Sequence, residues 1–136
     1  MIATELQQND LVMYKGDVCH ITSLDALGGL VGIANEGLIE LVSESEIQPI
    51  PLTAEILEKN GFCESDEVPN MLCLESDEYH IYYGLHNTAF CVFQRDKHSI
   101  LFKEKFRIAE MKYVHRLHQA LRLCGLNDLA DNLKIE

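Results

Sequence analysis

The chain has 136 residues, of which 47% are apolar and 24% are charged, and its formal net charge is −11 at pH 7. This composition is typical of one ordinary globular domain, or of two small ones that share a core, and it excludes a disordered chain. No stretch approaches the roughly 20 apolar residues of a membrane span, and the N-terminus lacks the basic and apolar regions of a signal peptide. We therefore expect a cytoplasmic protein with no membrane partner.

The charges are unevenly distributed along the chain. Residues 1–94 hold 16 acidic residues against Lys15 and Lys59, whereas residues 95–122 hold eight cations against three acids. A chain this acidic repels nucleic acid over most of its surface, although one local basic segment can still bind it.

The front half of the chain alternates short β patterns with turn residues. Residues 15–17 (Lys-Gly-Asp) and 35–37 (Asn-Glu-Gly) each separate two apolar stretches, which indicates two hairpins. So short a meander must close to hide its edges, and residues 1–50 are therefore predicted to form a small SH3-like β-barrel. The predicted strands span residues 10–14, 18–22, 30–33, 38–42 and 46–48.

Two prolines end this first half. Pro49 and Pro51 remove two backbone donors and push the preceding residues into extended conformations, so neither a sheet nor a helix continues through them. Thr53 then caps a short predicted helix that ends at Gly61. We expect a division at this point, with residues 51–136 forming an α+β domain that packs with the barrel as one unit.

The back half is predicted to hold an antiparallel meander followed by a helix. Four β patterns span residues 71–74, 79–83, 88–93 and 99–102. Apolar residues from Met111 to Cys124 then recur at steps of three and four, which predicts a helix closed by Gly125. The expected fold class is α+β: a small SH3-like barrel, a helix, a four-stranded meander and a C-terminal helix.

Three segments together resemble one protein family. They are residues 9–12, the joint Ile-Pro-Leu-Thr-Ala-Glu-Ile-Leu-Glu-Lys-Asn-Gly-Phe at 50–62, and Tyr-Val-His-Arg-Leu at 113–117. In these the chain resembles an uncharacterised family of short proteins of Bacteroides-type bacteria, their prophages and their mobile elements. The resemblance implies a fold with a small N-terminal barrel and a genomic setting, but no catalytic residue. The chain departs from the family at His118, where the family has Gln, and in its ending at 124–129.

No motif of a known catalytic or nucleotide-binding site is present. The five cysteines are an odd number, are scattered and include no Cys-x-x-Cys pair, so we expect small buried apolar residues rather than disulfides or a zinc site. His115 and His118 lie three apart on the predicted helix and can in principle share a metal. Without an identifiable third ligand, we expect packed histidines that hydrogen-bond to the backbone.

Two charged surfaces are candidate interaction sites. The tetrapeptide Glu-Ser-Asp-Glu occurs twice, which predicts an acidic interaction patch. A basic face is predicted on the C-terminal helix. The acidic patch comprises Glu64, Asp66, Glu67, Glu75, Asp77 and Glu78, and the basic helix face comprises Lys112, Arg116 and Arg122.

These observations favour a non-enzymatic accessory protein of a bacterial mobile element or prophage that acts by contact with another protein. We expect no cofactor, no metal and no catalytic residue. One alternative is a phage-type inhibitor whose acidic patch imitates nucleic acid, and another is weak nucleic-acid binding through the basic helix face. A small nuclease or metal-dependent hydrolase that uses His80, His86 or His98 is a further alternative, and self-association stays open.

Overall fold

A computed structural model describes residues 5–25 and 28–136 of the chain, so the first four residues of the predicted barrel lie outside the described part. The described residues form ten β-strands and three α-helices in two antiparallel sheets, which confirms the α+β class. The strands are β1 (Leu11–Tyr14), β2 (Asp17–Asp25), β3 (Leu30–Asn35), β4 (Leu38–Ser43), β5 (Ile47–Gln48), β6 (Cys63–Glu64), β7 (Met71–Glu75), β8 (Tyr79–Gly84), β9 (Phe90–Arg95) and β10 (Phe102–Ile108). The helices are α1 (Ala54–Lys59), α2 (Val114–Leu123) and α3 (Asn127–Asp131).

The chain forms two compact units. Of the described residues, the first unit holds those up to Pro51 together with Tyr113–Gln119, and the second holds Leu52–Lys112 and Ala120–Glu136. The first boundary falls at the proline joint. The segment Tyr113–Gln119 consists of the residue before α2 and the first part of α2, so the first unit includes residues from the far end of the sequence.

The first unit contains a five-stranded sheet in the order β4-β3-β2-β1-β5. Its two hairpins turn at Lys15-Gly16 and Glu36-Gly37, where all four residues have positive φ, as the right-handed twist of the flanking strands requires. A 3₁₀ turn at Glu44–Glu46 leads into β5, which pairs with β1. Among the described strands β4 and β5 do not pair with each other, so a closed SH3-like barrel is not confirmed.

Alternating apolar residues on these strands form the core of the first unit. β2 buries Cys19 and Ile21 on either side of exposed His20, which is the period expected of a sheet with one face against a core, whereas β3 buries four consecutive residues, 31–34. The buried cluster consists of Leu6, Val12, Cys19, Ile21, Val31, Ile33, Val42 and Ile47.

The second unit contains a five-stranded sheet in the order β10-β9-β8-β7-β6. Before it, α1 begins where the Thr53 hydroxyl accepts a hydrogen bond from the Ile56 amide at 3.2 Å, and the chain leaves the helix through Gly61 at a φ of 95°. The inward-facing side chains of the three central strands are buried, and these are Leu72, Ile81, Tyr83, Phe90 and Val92.

Two elements begin later than predicted. The last strand starts at Phe102 instead of residue 99, because Asp96 accepts hydrogen bonds from the amides of His98 and Ser99 and so extends the turn. α2 starts at Val114 instead of Met111, whose amide donates to Thr88 O at 2.8 Å. The sequence did not predict the short strand β6, because two residues are too few to show an alternating pattern.

In the part of the chain that the structure describes, no helix is both long and apolar enough to cross a membrane.

Candidate functional site

The buried carboxylate of Asp10, directly before β1, is engaged at both of its oxygens. Its Oδ2 accepts hydrogen bonds from the Gln7 amide at 2.7 Å and from Gln119 Nε2 at 2.6 Å. Its Oδ1 lies 2.9 Å from His118 Nδ1. Because an ionised carboxylate only accepts, an Nδ1–H donor on His118 satisfies this contact. One carboxylate therefore joins a turn of the chain to two residues of α2.

The backbone around Asp10 is also fixed. The Asp10 amide donates to Gln7 O at 3.1 Å, which closes the turn, and Asp10 O accepts from the Ile21 amide at 2.9 Å. Asn9, with a φ of 73°, donates its amide to Ile21 O at 2.8 Å. These backbone hydrogen bonds hold Asp10 in position independently of its contacts with α2.

This cluster resembles part of a catalytic triad in composition but not in access. The side chains of His118 and Asp10 have exposed fractions of 3% and 0%. A general base must come within hydrogen-bond reach of a substrate proton, which such burial prevents. The arrangement is suited to holding α2 in place, and the expectation that His118 hydrogen-bonds to the backbone is wrong, since its partner is a carboxylate.

His115 is buried one turn earlier on the same helix. Its ring stacks on Tyr113 with ring centroids 5.7 Å apart, and among the described residues its Nδ1 has no hydrogen-bond partner. Burial lowers the pKa of His115 below its ordinary value of 6.5; nearby Asp10 and Glu5 oppose this shift and Arg116 adds to it. The prediction that the His115 side chain hydrogen-bonds to the backbone is therefore also wrong for its Nδ1 atom.

No part of the described chain brings three or more His, Cys, Asp or Glu side chains into a geometry that holds a metal ion. His118 Nδ1 is bonded to Asp10, and His80 stacks on Phe102 with ring centroids 4.0 Å apart. The expectation that the cysteines are buried holds for Cys19 alone. Cys63 is exposed, and the three others, Cys73, Cys91 and Cys124, are half-buried.

The two acidic runs lie at opposite ends of one strand. The first run adjoins the start of β7, because Glu64 pairs with Leu72 and the Ser65 amide bonds to Met71 O. The second run begins at Glu75, the last residue of β7, which is four steps or about 14 Å further along. All six acidic side chains of the predicted acidic patch are exposed: Glu64, Asp66, Glu67, Glu75, Asp77 and Glu78.

The predicted basic helix face is partly neutralised. Lys112 precedes α2, and its Nζ lies 3.3 Å from a Glu110 carboxylate oxygen. Arg122 pairs with Asp131 at 3.0 Å. Arg116 is exposed on α2.

A stronger concentration of cations lies at the β9–β10 hairpin, which we name the hairpin cleft. It has a volume of about 690 Å³. Glu78 and Asp96 contribute acids, and Asp96 pairs with Lys103 at 3.3 Å. The cations that line the hairpin cleft are Arg95, Lys97, Lys103 and Lys105, beside His98.

An exposed apolar strand lies at one edge of the first unit. β4 pairs with β3 alone among the described strands, yet it carries the exposed apolar side chains Leu38, Ile39 and Leu41, with exposed fractions of 77%, 74% and 64%. Edge strands are ordinarily protected by charge, proline or covering structure, because unpaired backbone groups bind other chains. Three exposed aliphatic residues on such a strand are a sign of an interaction surface.

Comparison of the chain with protein-family models, with curated proteins and with solved structures finds no match. The resemblance to the Bacteroides-type prophage family therefore stays a prediction.

Sequence reasoning did not find Asp10 or the β4 edge. The available signal for Asp10 was the pair of polar residues His118 and Gln119 beside an apolar helix stripe, which requires a polar partner if both are covered. For β4 the signal was an apolar residue at nearly every position of 38–42, where a half-buried strand alternates.

Replacing Asp10 with alanine is expected to destabilise the fold. The substitution leaves the Gln7 amide, Gln119 Nε2 and His118 Nδ1 without their acceptor in a buried site, and we expect a loss of about 3 kcal/mol in the free energy of unfolding. Urea denaturation measures this loss in the free energy of unfolding. The matched control is Asp17→Ala at an exposed position, which is expected to change the free energy by less than about 0.5 kcal/mol. Equal losses in the two variants would contradict a special role for Asp10.

The lowered pKa of His115 predicts a loss of stability in mild acid. As pH falls past the ordinary value of 6.5, the unfolded chain takes up a proton before the folded one, so the contribution of neutral His115 is complete above that value and declines below it. His115→Phe keeps an aromatic ring beside Tyr113 and is expected to flatten the fall in unfolding free energy between about pH 7.5 and about pH 5. The control is His20→Phe at an exposed position, which should leave the fall in unfolding free energy with pH as it is in the wild type. An unchanged fall in His115→Phe would contradict the role given to His115.

Proposed function

We propose that this chain is a non-enzymatic, cytoplasmic accessory protein of a bacterial mobile element or prophage, and that it binds another protein through the edge strand β4. The single observation that carries the proposal is the exposed apolar β4 edge. Adding a strand from a partner to such an edge is a common mode of peptide recognition.

The backbone of β4 has hydrogen-bonding groups directed outward. The Glu44 amide donates to Gly29 O at 2.8 Å, and the antiparallel register continues without a shift from there to the hairpin turn. Since residues alternate between bonding inward and outward, Glu40 and Val42 bond to β3, whereas the groups of Ile39 and Leu41 point away from it. Ile39 and Leu41 therefore present two N–H donors and two C=O acceptors to a partner strand.

Side chains on the same edge specify the chemistry of the partner. Ile39 and Leu41 stand opposite Ala34 and Gly32 on β3, so an apolar strip lies beside the outward backbone groups. Glu36 in the hairpin turn and Glu40 on β4 are exposed acids of the same edge, and Glu40 projects from the other face of the strand. The partner segment is therefore an extended one in which apolar residues alternate with Lys or Arg. A second copy of this chain fits less well, because it presents the same acids.

An SH3-like barrel is part of the same proposal. It is supported by the return of β5 to the side of β1 after a 3₁₀ turn, which requires the sheet to curl. The register shift between Ile21 and Ser23 on β2 supports it as well, because a bulge bends a strand.

A peptide of alternating valine and lysine tests the β4 edge. In the free protein the Ile39 and Leu41 amides are expected to exchange with solvent quickly and those of Glu40 and Val42 slowly; the peptide should slow exchange at Ile39 and Leu41. Leu41→Pro deletes one outward donor without touching a β3 bond, and we expect affinity to fall about tenfold or more. Amide exchange and chemical shifts recorded by NMR give both results.

The control is Leu123→Asp, because Leu123 is a leucine with an exposed fraction of 74% that lies in α2. It should leave peptide binding unchanged, whereas Leu41→Asp should abolish it. Natural partners recovered with the wild-type protein are expected to be lost with Leu41→Asp and retained with Leu123→Asp. Peptide shifts outside β3 and β4, or equal effects of the two substitutions, would contradict binding at this edge.

Weak binding of single-stranded nucleic acid is a second candidate function, and the hairpin cleft favours it. Four cations and His98 line one concave surface of a chain whose net charge is −11. Phosphate groups are natural ligands of such a surface. We therefore propose the β9–β10 hairpin for this binding rather than the basic helix face, where Lys112 and Arg122 are paired with acids.

Charge reversal tests the hairpin cleft. Lys97→Glu combined with Lys105→Glu is expected to weaken binding of a single-stranded oligonucleotide about tenfold or more at low salt, because two phosphate contacts become repulsive. Fluorescence anisotropy measures the affinity. Lys59→Glu combined with Lys134→Glu makes the same change in net charge at exposed positions outside the cleft. Equal weakening in both double variants, or no binding by the wild type, would dismiss this function.

A further inference from the structure

Two cysteines face each other on neighbouring strands at the edge of the second sheet. Cys63 on β6 is the register partner of Cys73 on β7. Directly opposed residues of an antiparallel pair project their side chains from the same face of the sheet. Neither cysteine forms a disulfide, and the Cys63 thiol donates a weak hydrogen bond to Gly61 O at 3.7 Å.

The hydrogen bonds of the strand pair give the spacing of this cysteine pair. The Ser65 amide bonds to Met71 O at 2.9 Å, so positions 65 and 71 form a hydrogen-bonded pair. Two residues along the register, positions 63 and 73 form the next one. The Cα atoms of such pairs lie about 5.5 Å apart, and disulfides join Cα atoms separated by about 4.4–6.8 Å. The Cα spacing of this pair therefore falls within the range that a disulfide bridges.

The rest of the sheet excludes competing pairings. Tyr82 on β8 is opposite Cys73, and Cys91 on β9 is opposite Tyr82, so Cys91 lies two strands or about 9.6 Å from Cys73. This exceeds the separation that a disulfide bridges.

The two thiols differ in access. Cys63 is exposed, whereas Cys73 is half-buried. Burial raises the pKa of the Cys73 thiol, and the neighbouring Glu75, Cys63 and Asp66 raise it further. A raised pKa leaves less of the attacking thiolate at Cys73. The exposed Cys63 is therefore the first of the two to react with an external disulfide.

From this geometry we infer that Cys63 and Cys73 form a modification site that takes small-molecule disulfides, such as glutathione disulfide, and becomes a reversible cross-strand disulfide. The Cys63 thiolate attacks one sulfur of the small disulfide and releases the other half as a thiolate. The Cys73 thiolate then attacks the Cys63 sulfur and releases the second half. Two protons leave the protein, its two thiols are oxidised to one disulfide, and the small disulfide is reduced to two thiols.

The bond fastens a strand that little else holds. β6 is a two-residue edge strand, and it follows α1 by way of Gly61 and the buried Phe62. A link to β7 restrains residues 63–73 as one loop and limits the freedom of the unfolded chain. An exposed disulfide at this position is readily reduced again, which suits a reversible modification.

Mass spectrometry of the full chain treated with glutathione disulfide tests the inference. The wild type is expected to lose two hydrogens and to yield one linked peptide pair containing Cys63 and Cys73. Cys73→Ser should instead stop at a glutathione adduct on Cys63, because the second thiol is missing. Cys63→Ser should gain neither the disulfide nor an adduct at Cys73. Oxidation should also raise the thermal midpoint of the wild type, and dithiothreitol should reverse both changes.

Cys124→Ser and Cys91→Ser are the matched controls and should form the Cys63–Cys73 bond at the wild-type rate. A stable glutathione adduct on wild-type Cys63 would overturn the inference, because it would show that Cys73 does not reach the Cys63 sulfur. A bond from Cys63 to Cys91 or Cys124, or loss of the bond in either control, would overturn it too.

Discussion

The buried carboxylate of Asp10 is the constraint on which the first unit depends. It accepts hydrogen bonds from the turn before β1 and from Gln119, and it pairs with His118. An acid without exposed surface is tolerated only when its oxygens are satisfied, so the sheet and the first part of α2 must form together. His118 and Gln119 are polar for the same reason. The cluster explains how an N-terminal segment of about 50 residues, marginal alone, gains a helical segment from the far end of the sequence.

The two sheets have differently protected edges, and the two surface proposals follow from this difference. β4 presents apolar side chains and outward backbone groups, an edge that proteins ordinarily protect. β6 is so short that it offers another chain little to pair with, and its exposed feature is a thiol. The first edge is suited to binding a strand and the second to chemical modification. Both belong to the acidic part of the sequence, whereas the hairpin cleft gathers cations.

Prediction from sequence was accurate where short segments decide the structure. The turns at Lys15-Gly16 and Glu36-Gly37, the strands beside them and the Thr53 cap depend on residues within a few positions of one another. It was less accurate where distant partners compete. Met111 matches the helical period, yet its amide bonds to Thr88. The cysteines were expected to be buried, and a cysteine gives no local signal of which face of a strand it occupies.

The sequence by itself determined the α+β class and the order of most strands, because periodicity and turn residues act over a few neighbouring positions. The tertiary structure decided the rest. Asp10 and His118 are 108 positions apart, and Cys63 meets Cys73 through strand pairing. Exposure of the β4 edge likewise depends on which strands pair. Burial and pairing join residues distant in sequence, and no local pattern encodes them.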